Sequence, residues 1–182
     1  MQNKIEEILQ KYKGKTAGLF VDEANLFYSQ KELGWHIEWQ KFLNLLNKFC
    51  KIEIKKYYMG MPLDKKAYEQ NILVKNRLEK VGFQVITKPI KKIYLDNKKF
   101  EFKNKCNFDV EITRDVIRNL DKIDLILVAS GDSDFVALKN DVLYNKKGFI
   151  FICFEKNVAW EIRKSYHIFF DNIRKEVEYK KQ

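Results

Sequence analysis

Asp22, Asn25, Asp109, Asp132 and Asp134 are the side chains in this sequence whose types and spacing could do chemistry together. Asp22 closes the apolar run Ala17 to Val21, within Val21-Asp22-Glu23-Ala24-Asn25-Leu26. Asp132 and Asp134 stand just past a second apolar run that ends at Ala129, within Ser130-Gly131-Asp132-Ser133-Asp134-Phe135. If the two runs are neighbouring strands, these three carboxylates converge on one crevice. Like charges a few ångströms apart raise one another's pKa, and a divalent cation removes that penalty. Oxygen donors with no Cys or His beside them favour Mg²⁺ or Mn²⁺, held by a few carboxylates and several waters. Such an ion lowers the pKa of water, orients it and stabilises a developing oxyanion.

The same residues have ordinary structural roles. Asp132 or Ser133 can cap the helix that follows, a contribution of about 1 kcal/mol. Asn25 suits a turn or a cap. Asp109, in Lys105-Cys106-Asn107-Phe108-Asp109-Val110, precedes a helical pattern and could cap it, and Asp115 could face solvent or pair with Arg114 or Arg118. Other metal chemistries have less support. His36 and His167 lie far apart, and Cys50, Cys106 and Cys153 form no CxxC pair. Neither a zinc knuckle nor a disulfide framework is indicated, and a reducing cytoplasm fits best.

The elements that must position the acids alternate. Ala17 to Val21 reads as a buried strand, residues 39–49 as a helix and Ile52 to Met59 as a strand. Asp64 to Val81 then reads as a helix with Gly82 as its stop, and Phe83 to Thr87 as a strand. Residues 93–102 break the rhythm. Ile93-Tyr94-Leu95 and Phe100-Glu101-Phe102 flank Asp96-Asn97, which predicts a lysine-studded hairpin. A helix through Val110 to Leu120, a strand Asp124 to Ala129, a helix Phe135 to Lys146, a strand Phe149 to Phe154 and helical patterns through 158–180 follow. This order predicts a mostly parallel sheet covered by helices on both faces. Ligands of such sheets bind beyond the carboxyl ends of the strands, where the strand order reverses.

Composition bounds the function. The 182 residues, 46% hydrophobic with 14 Phe and 2 Pro, suit one domain with a substantial core. The apolar runs are far shorter than the ~20 residues of a membrane span, and residues 1–15 read as an amphipathic helix rather than a signal peptide. Lys and Arg exceed Asp and Glu by 35 to 25, a balance that suits a polyanionic partner or a lysine-rich proteome. Around the hairpin, Lys88, Lys91, Lys92, Lys98, Lys99, Lys103 and Lys105 could contact phosphates, while Tyr28, Trp35 and Trp39 could stack unpaired bases. Trp39 also shares the helical apolar spacing of a core residue.

Taken together, these stretches resemble the NYN domain family, which is related to PIN-domain nucleases and includes LabA-like proteins. Phe20-Val21-Asp22-Glu23-Ala24-Asn25-Leu26-Phe27 is similar to its opening strand and Asp-x-x-Asn-Leu signature. Lys103 to Arg118 resembles its lysine-then-Asp-Val helix with a second Asp at Asp115, and Ser130 to Phe135 its Ser-Gly-Asp-Ser-Asp-Phe motif. Two positions depart. Glu23 stands where the family often has a small residue, and Tyr166-His167-Ile168-Phe169 where an Asp often precedes a Phe; that segment is expected to be helical.

The resemblance implies a PIN-like Rossmannoid three-layer sandwich over residues 16–175, with the hairpin inserted, an N-terminal helix over 1–15 and a basic helix end over 176–182. It implies a cytoplasmic ribonuclease, most readily an endoribonuclease. Asp22, Asp109, Asp132 and Asp134 would bind Mg²⁺ or Mn²⁺, with Asn25 orienting substrate or metal. Lys98, Lys99, Lys103 and Lys105 would bind RNA that is single-stranded or has unpaired regions. Ile168 and Phe170 could serve a homodimer or the core. Two other classes compete: a non-catalytic regulatory module that binds RNA or protein and whose acidic pocket is residual, and a metal-dependent phosphatase acting on a small phosphoester. Against the latter, the chain has no Gly-rich phosphate loop and no GxxxxGK[ST] pattern.

Overall fold

The computed structural model describes residues 2–96, 101–156 and 158–180, with side chains over 5–93, 105–156 and 158–180. The chain runs through α1 (Gln2–Gln10), β1 (Thr16–Asp22), α2 (Glu23–Leu33), α3 (Trp39–Leu46) and β2 (Lys51–Met61). Next come α4 (Lys65–Lys80), β3 (Gln84–Pro89), the pair β4 (Lys91–Asp96) and β5 (Glu101–Lys105), and α5 (Asp109–Asn119). It closes with β6 (Leu125–Ala129), α6 (Val136–Tyr144), β7 (Gly148–Cys153), α7 (Trp160–Arg163), β8 (His167–Phe169) and α8 (Arg174–Val177).

Local chemistry sets the expected boundaries. The Asp64 side chain accepts from the Ala67 N–H at 2.9 Å and caps α4. Gly82, at φ +95°, ends that helix in the left-handed region. All five residues of β6 and all six of β7 are buried, as strands covered on both faces must be.

The six-stranded sheet has the order β3-β2-β1-β6-β7-β8, and every pairing is parallel. β1 sends the chain outward to β2 and β3 on one side, and β6 begins the march to β8 on the other. The strand order therefore reverses between β1 and β6. Successive strand residues face opposite layers. Leu19, Val21, Leu127 and Ala129 pack with Trp39, Phe42 and Phe170 on one face, whereas Phe20, Ile126 and Val128 pack with Phe108, Ile112 and Phe135 on the other. The result is the expected three-layer α/β sandwich. Among the described residues no helix is long and apolar enough to cross a membrane.

Several expectations change. α2 has no counterpart in the sequence reading. Residues 158–180, expected to be helical, contain the edge strand β8, so Tyr166 to Phe169 leads into and forms a strand beside β7 rather than a helix. Ile168 and Phe170 are buried in the core and present no dimer surface. The C-terminal helix stops at Val177, which is buried and whose carbonyl accepts from the Glu38 N–H at 2.7 Å. At the other end, Ile5, Ile8 and Leu9 of α1 pack into the same core. The hairpin's strands are antiparallel as expected, with Lys91 opposite Lys105; Asn97 of its turn lies outside the described residues.

Candidate active site

β1 and β6 are direct neighbours, with Val21 opposite Ala129, so Asp22 and the Ser130 loop leave the sheet side by side at the switch point. Ser130, fully buried, donates from Oγ to Asp22 Oδ2 at 3.1 Å and accepts from the Asp132 N–H at 3.2 Å. Asn25, on the first turn of α2, accepts at Oδ1 from the Gly131 N–H at 2.7 Å. The Gly131 carbonyl accepts from the Ala159 N–H at 3.2 Å, so the Gly131 backbone is held at both its N–H and its carbonyl. With Oδ1 engaged, Asn25 has its amide Nδ2 to offer a ligand.

Asp109 reaches the site from the other direction. It is the first residue of α5, and Asn107 grips it twice, accepting from its N–H at 2.7 Å and donating to its Oδ2. Asp22, Ala24, Asn25, Cys106, Asn107, Phe108, Asp109 and Asp132 line one cavity of about 130 Å³. Asp134 is exposed and lies outside that lining; its N–H donates to Asp132 Oδ1 at 3.0 Å. Asp132 therefore does cap the short 3-10 turn Ser133–Phe135, while its carboxylate also borders the cavity.

The electrostatics follow from burial. Asp22 is only 7% exposed, and its carboxyl is pushed up to about 6, first by burial and further by the Asp109 and Asp132 carboxylates, against the hydrogen bonds from Ser130 and the Asn25 backbone. Burial also raises Asp109, opposed by the Asn107 hydrogen bond and reinforced by Asp132 and Asp134. Glu23 is pushed up to about 7 by burial, eased by hydrogen bonding to the Gly60 backbone and raised again by Asp22. Among the described residues, no three acidic, His or Cys side chains are gathered closely enough to cage an ion together. The acids share a cavity without forming a closed coordination sphere.

Asp115 belongs elsewhere. It is buried, and its Oδ2 accepts from Lys56 Nζ and from the Tyr58 hydroxyl, each at 2.8 Å, while Arg114 pairs with Oδ1 at 3.2 Å. It is thus a structural ion pair rather than a solvent-facing charge. Lys88, one of the hairpin cations, is also committed: it pairs with Glu111 at 2.8 Å and lies over the Phe108 ring at 4.4 Å. Lys105 is exposed; Lys98 and Lys99 lie outside the described residues, as does the side chain of Lys103. Trp35 and Trp39, 3% and 8% exposed, are core residues, whereas Tyr28 is 65% exposed and could meet a ligand.

Sequence reasoning missed Ser130 and Asn107 as the groups that hold Asp22 and Asp109. Asn107 had a signal, because an Asn two residues ahead of a helix start commonly binds the backbone there. Ser130 opens the Ser-Gly-Asp-Ser-Asp-Phe motif, but nothing local names its partner, which is 108 positions away and is met only through strand pairing.

Comparison with known proteins agrees with this architecture. The sequence profile of the NYN domain matches residues 16–173. The chain is 28% identical over 121 residues to the low amplitude and bright protein LabA of Synechococcus elongatus, an alignment covering 64% of this chain and 62% of that protein. The chain thus spans less than two thirds of that relative's length. A crystal structure of a protein of unknown function from Vibrio parahaemolyticus superposes with a TM-score of 0.73 at 19% identity, covering 91% of this chain and 97% of the other. That likeness establishes the fold, and the profile match establishes that the chain belongs to the NYN domain family.

Proposed function

We propose that this NYN-domain chain is a ribonuclease that hydrolyses RNA phosphodiester bonds with Mg²⁺ or Mn²⁺ held at the crevice between β1 and β6. The observation that carries the reading is one cavity, at the switch point of a parallel sheet, lined by Asp22, Asp109 and Asp132 together. Asp22 is buried there, and the charges of Asp109 and Asp132 that act on it are both negative. Family membership adds support, because the NYN fold is that of PIN-like nucleases.

The donor set fits a hard divalent cation. It consists of oxygen atoms, and Mg²⁺ is commonly held by one or two carboxylates with waters and substrate oxygens completing its shell, so a closed protein cage is not required. Asp22, Asp109 and Asp132 would hold the ion, with Asp134 as a further or outer ligand. When bound, the ion supplies activation of water and neutralisation of charge on the phosphate oxygens. The chain's own groups set the geometry: Ser130 fixes the Asp22 carboxylate, Asn107 fixes Asp109, and Asn25 ties down Gly131 while presenting Nδ2 to the substrate. Lys98, Lys99, Lys103 and Lys105 would contact the RNA backbone, consistent with the exposure of Lys105.

A second reading has an observation of its own. The acids are not gathered into a cage among the described residues, as would suit a module that binds RNA or protein without cutting it. The test is incubation of the purified chain with single-stranded and structured RNA in Mn²⁺, Mg²⁺ or EDTA, beside Asp132→Asn. The ribonuclease reading expects cleavage in either metal, abolished by EDTA and by the substitution. Cleavage that survives both would overturn it, and RNA bound but never cut would favour the module.

A further inference from the structure

A second cavity opens beside the acidic one. It holds about 260 Å³ and is lined by Glu23, Ala24, Phe27, Tyr28, Gly60, Asn71, Ile90 and Cys106, so Ala24 and Cys106 border both spaces. Its size lies just below the roughly 300–1,000 Å³ of pockets for drug-sized ligands, which suits a single planar group. Two features make it a built space. Gly60 carries no Cβ, and one placed there would meet Ile90 Cγ1 at 2.8 Å and Cys106 Sγ at 3.2 Å, so the glycine lets β2 run close beneath residues flanking the hairpin. Asn71 of α4 donates from Nδ2 to the Gly60 carbonyl at 3.0 Å, which leaves its Oδ1 as an acceptor.

The lining has a definite chemistry. Phe27 and Tyr28 are 46% and 65% exposed, and their rings meet edge to face with centroids 5.7 Å apart, so neither is packed away and each steadies the other. Exposed aromatic faces beside a phosphate-hydrolysing site are stacking platforms for unpaired bases. The acceptors here are the Glu23 carboxylate, which also takes a hydrogen bond from the Gly60 backbone, and Asn71 Oδ1; the second Asn71 Nδ2–H and the Tyr28 hydroxyl stand beside them as donors. A carboxylate can take two parallel hydrogen bonds from adjacent donors, and among RNA bases guanine presents such a pair, N1–H and the 2-amino group, whereas uracil presents one N3–H.

We propose that this cavity is a nucleobase subsite that selects guanine, with the Tyr28 ring stacking the base, Phe27 bracing that ring edge to face, and the Glu23 carboxylate accepting from the Watson–Crick edge of the base. The subsite rests on the ribonuclease reading for its purpose, since it would seat the base next to the phosphodiester facing Asp22, Asp109 and Asp132. It explains why a bulky acid stands at position 23. The simpler role for Glu23, a favourable charge on the first turn of α2, would affect stability but not base choice.

The experiment separates base recognition from chemistry by measuring binding in EDTA and cleavage in Mn²⁺ on the same material. Fluorescently labelled UUUGUU and UUUUUU are titrated by anisotropy with the wild-type chain, Glu23→Gln, Tyr28→Ala and Asp132→Asn, each first checked for a cooperative thermal transition. A good bidentate pair discriminates by about ten-fold. The wild type and Asp132→Asn are expected to bind the guanine oligonucleotide about ten-fold more tightly. Glu23→Gln should reduce that ratio to about two-fold or less, and Tyr28→Ala should weaken binding of both oligonucleotides. Equal binding of the two by the wild type, or a ratio that survives Glu23→Gln, would overturn the subsite. A preserved preference without cleavage in Mn²⁺ would instead count against the ribonuclease reading and leave the subsite standing.

Discussion

Asp22 and Asp115 make an instructive pair. Both are buried, at 7% and 5% exposure; Asp22 closes β1, and Asp115, on α5, reaches Lys56 and Tyr58 of the neighbouring β2. Asp115 meets Lys56, Tyr58 and Arg114, and although burial alone would raise its carboxyl, those partners hold it below the usual carboxylate range. Among the described residues Asp22 meets the Ser130 hydroxyl, the Asn25 backbone N–H and the charges of two further acids, and its carboxyl is pushed up to about 6 by burial and those charges. A buried carboxylate already supplied with a cation is architecture. One whose neighbours are all neutral or negative is a place where a cation would be welcome.

The contrast can be broken most forcefully at Asp115. Replacing it with Ala leaves Lys56 partly buried beside the Tyr58 hydroxyl, and urea denaturation is expected to show a loss of about 3 kcal/mol, the low end for a broken buried pair because Lys56 keeps some access to water. A change below about 1 kcal/mol would remove the distinction between the two sites.

The pH dependence sharpens it next. The folded pKa of Asp22, about 6, lies above its ordinary 3.8, so its contribution is fully present below pH 3.8 and is lost as pH rises through 6. At 1.36 kcal/mol per unit this is about 2–3 kcal/mol. Asp115 runs the other way: its contribution is present above pH 3.8 and is lost as pH falls through its lowered folded value. In EDTA, the stability of the wild type relative to Asp22→Asn should therefore decline between pH 4 and pH 7, and a flat or rising difference would contradict the burial argument. At pH 7 in EDTA, Asp22→Asn itself is expected to unfold about 1–2 kcal/mol later than the wild type, because Asn can keep the Ser130 contact without a buried charge. The smallest effect is expected at the rim: Lys105→Ala should weaken RNA binding by less than about 1 kcal/mol and lower its salt dependence by about one phosphate contact.

How much of this was legible in the sequence follows from which interactions are local. Ala17 to Val21 and Leu125 to Ala129 are uninterrupted apolar runs, so β1 and β6, and the acids that leave them, could be placed from residue type alone. α2 was missed because its inward face carries Ser29 and Gln30 beside Leu26; Gln30 is buried to receive the Ile37 N–H at 2.8 Å, and the apolar period is broken. β8 was read as helix because three residues are too few to show a strand's alternation against flanking helical turns. The commitment of Lys88 to Glu111, and of Asp115 to Lys56, depends on approaches across 23 and 59 positions that no spacing rule reports. The position of Asp134 outside the cavity depends likewise on how the loop turns after Asp132 caps it.

The central claim is that, among the described residues, Asp22 pairs with no cationic side chain whereas Asp115 does, and calorimetric titration of the chain with Mn²⁺ at pH 7, beside Asp22→Asn and a lysine-paired control at Asp115→Asn, tests it most directly. Saturable binding to the wild type and to the folded Asp115→Asn, weakened about ten-fold or more by Asp22→Asn, is the expected result, with stabilisation of the wild type by about 2.7 kcal/mol at a hundred times Kd. A wild type that binds no Mn²⁺, or an Asp22→Asn chain that binds it equally well, would contradict the account.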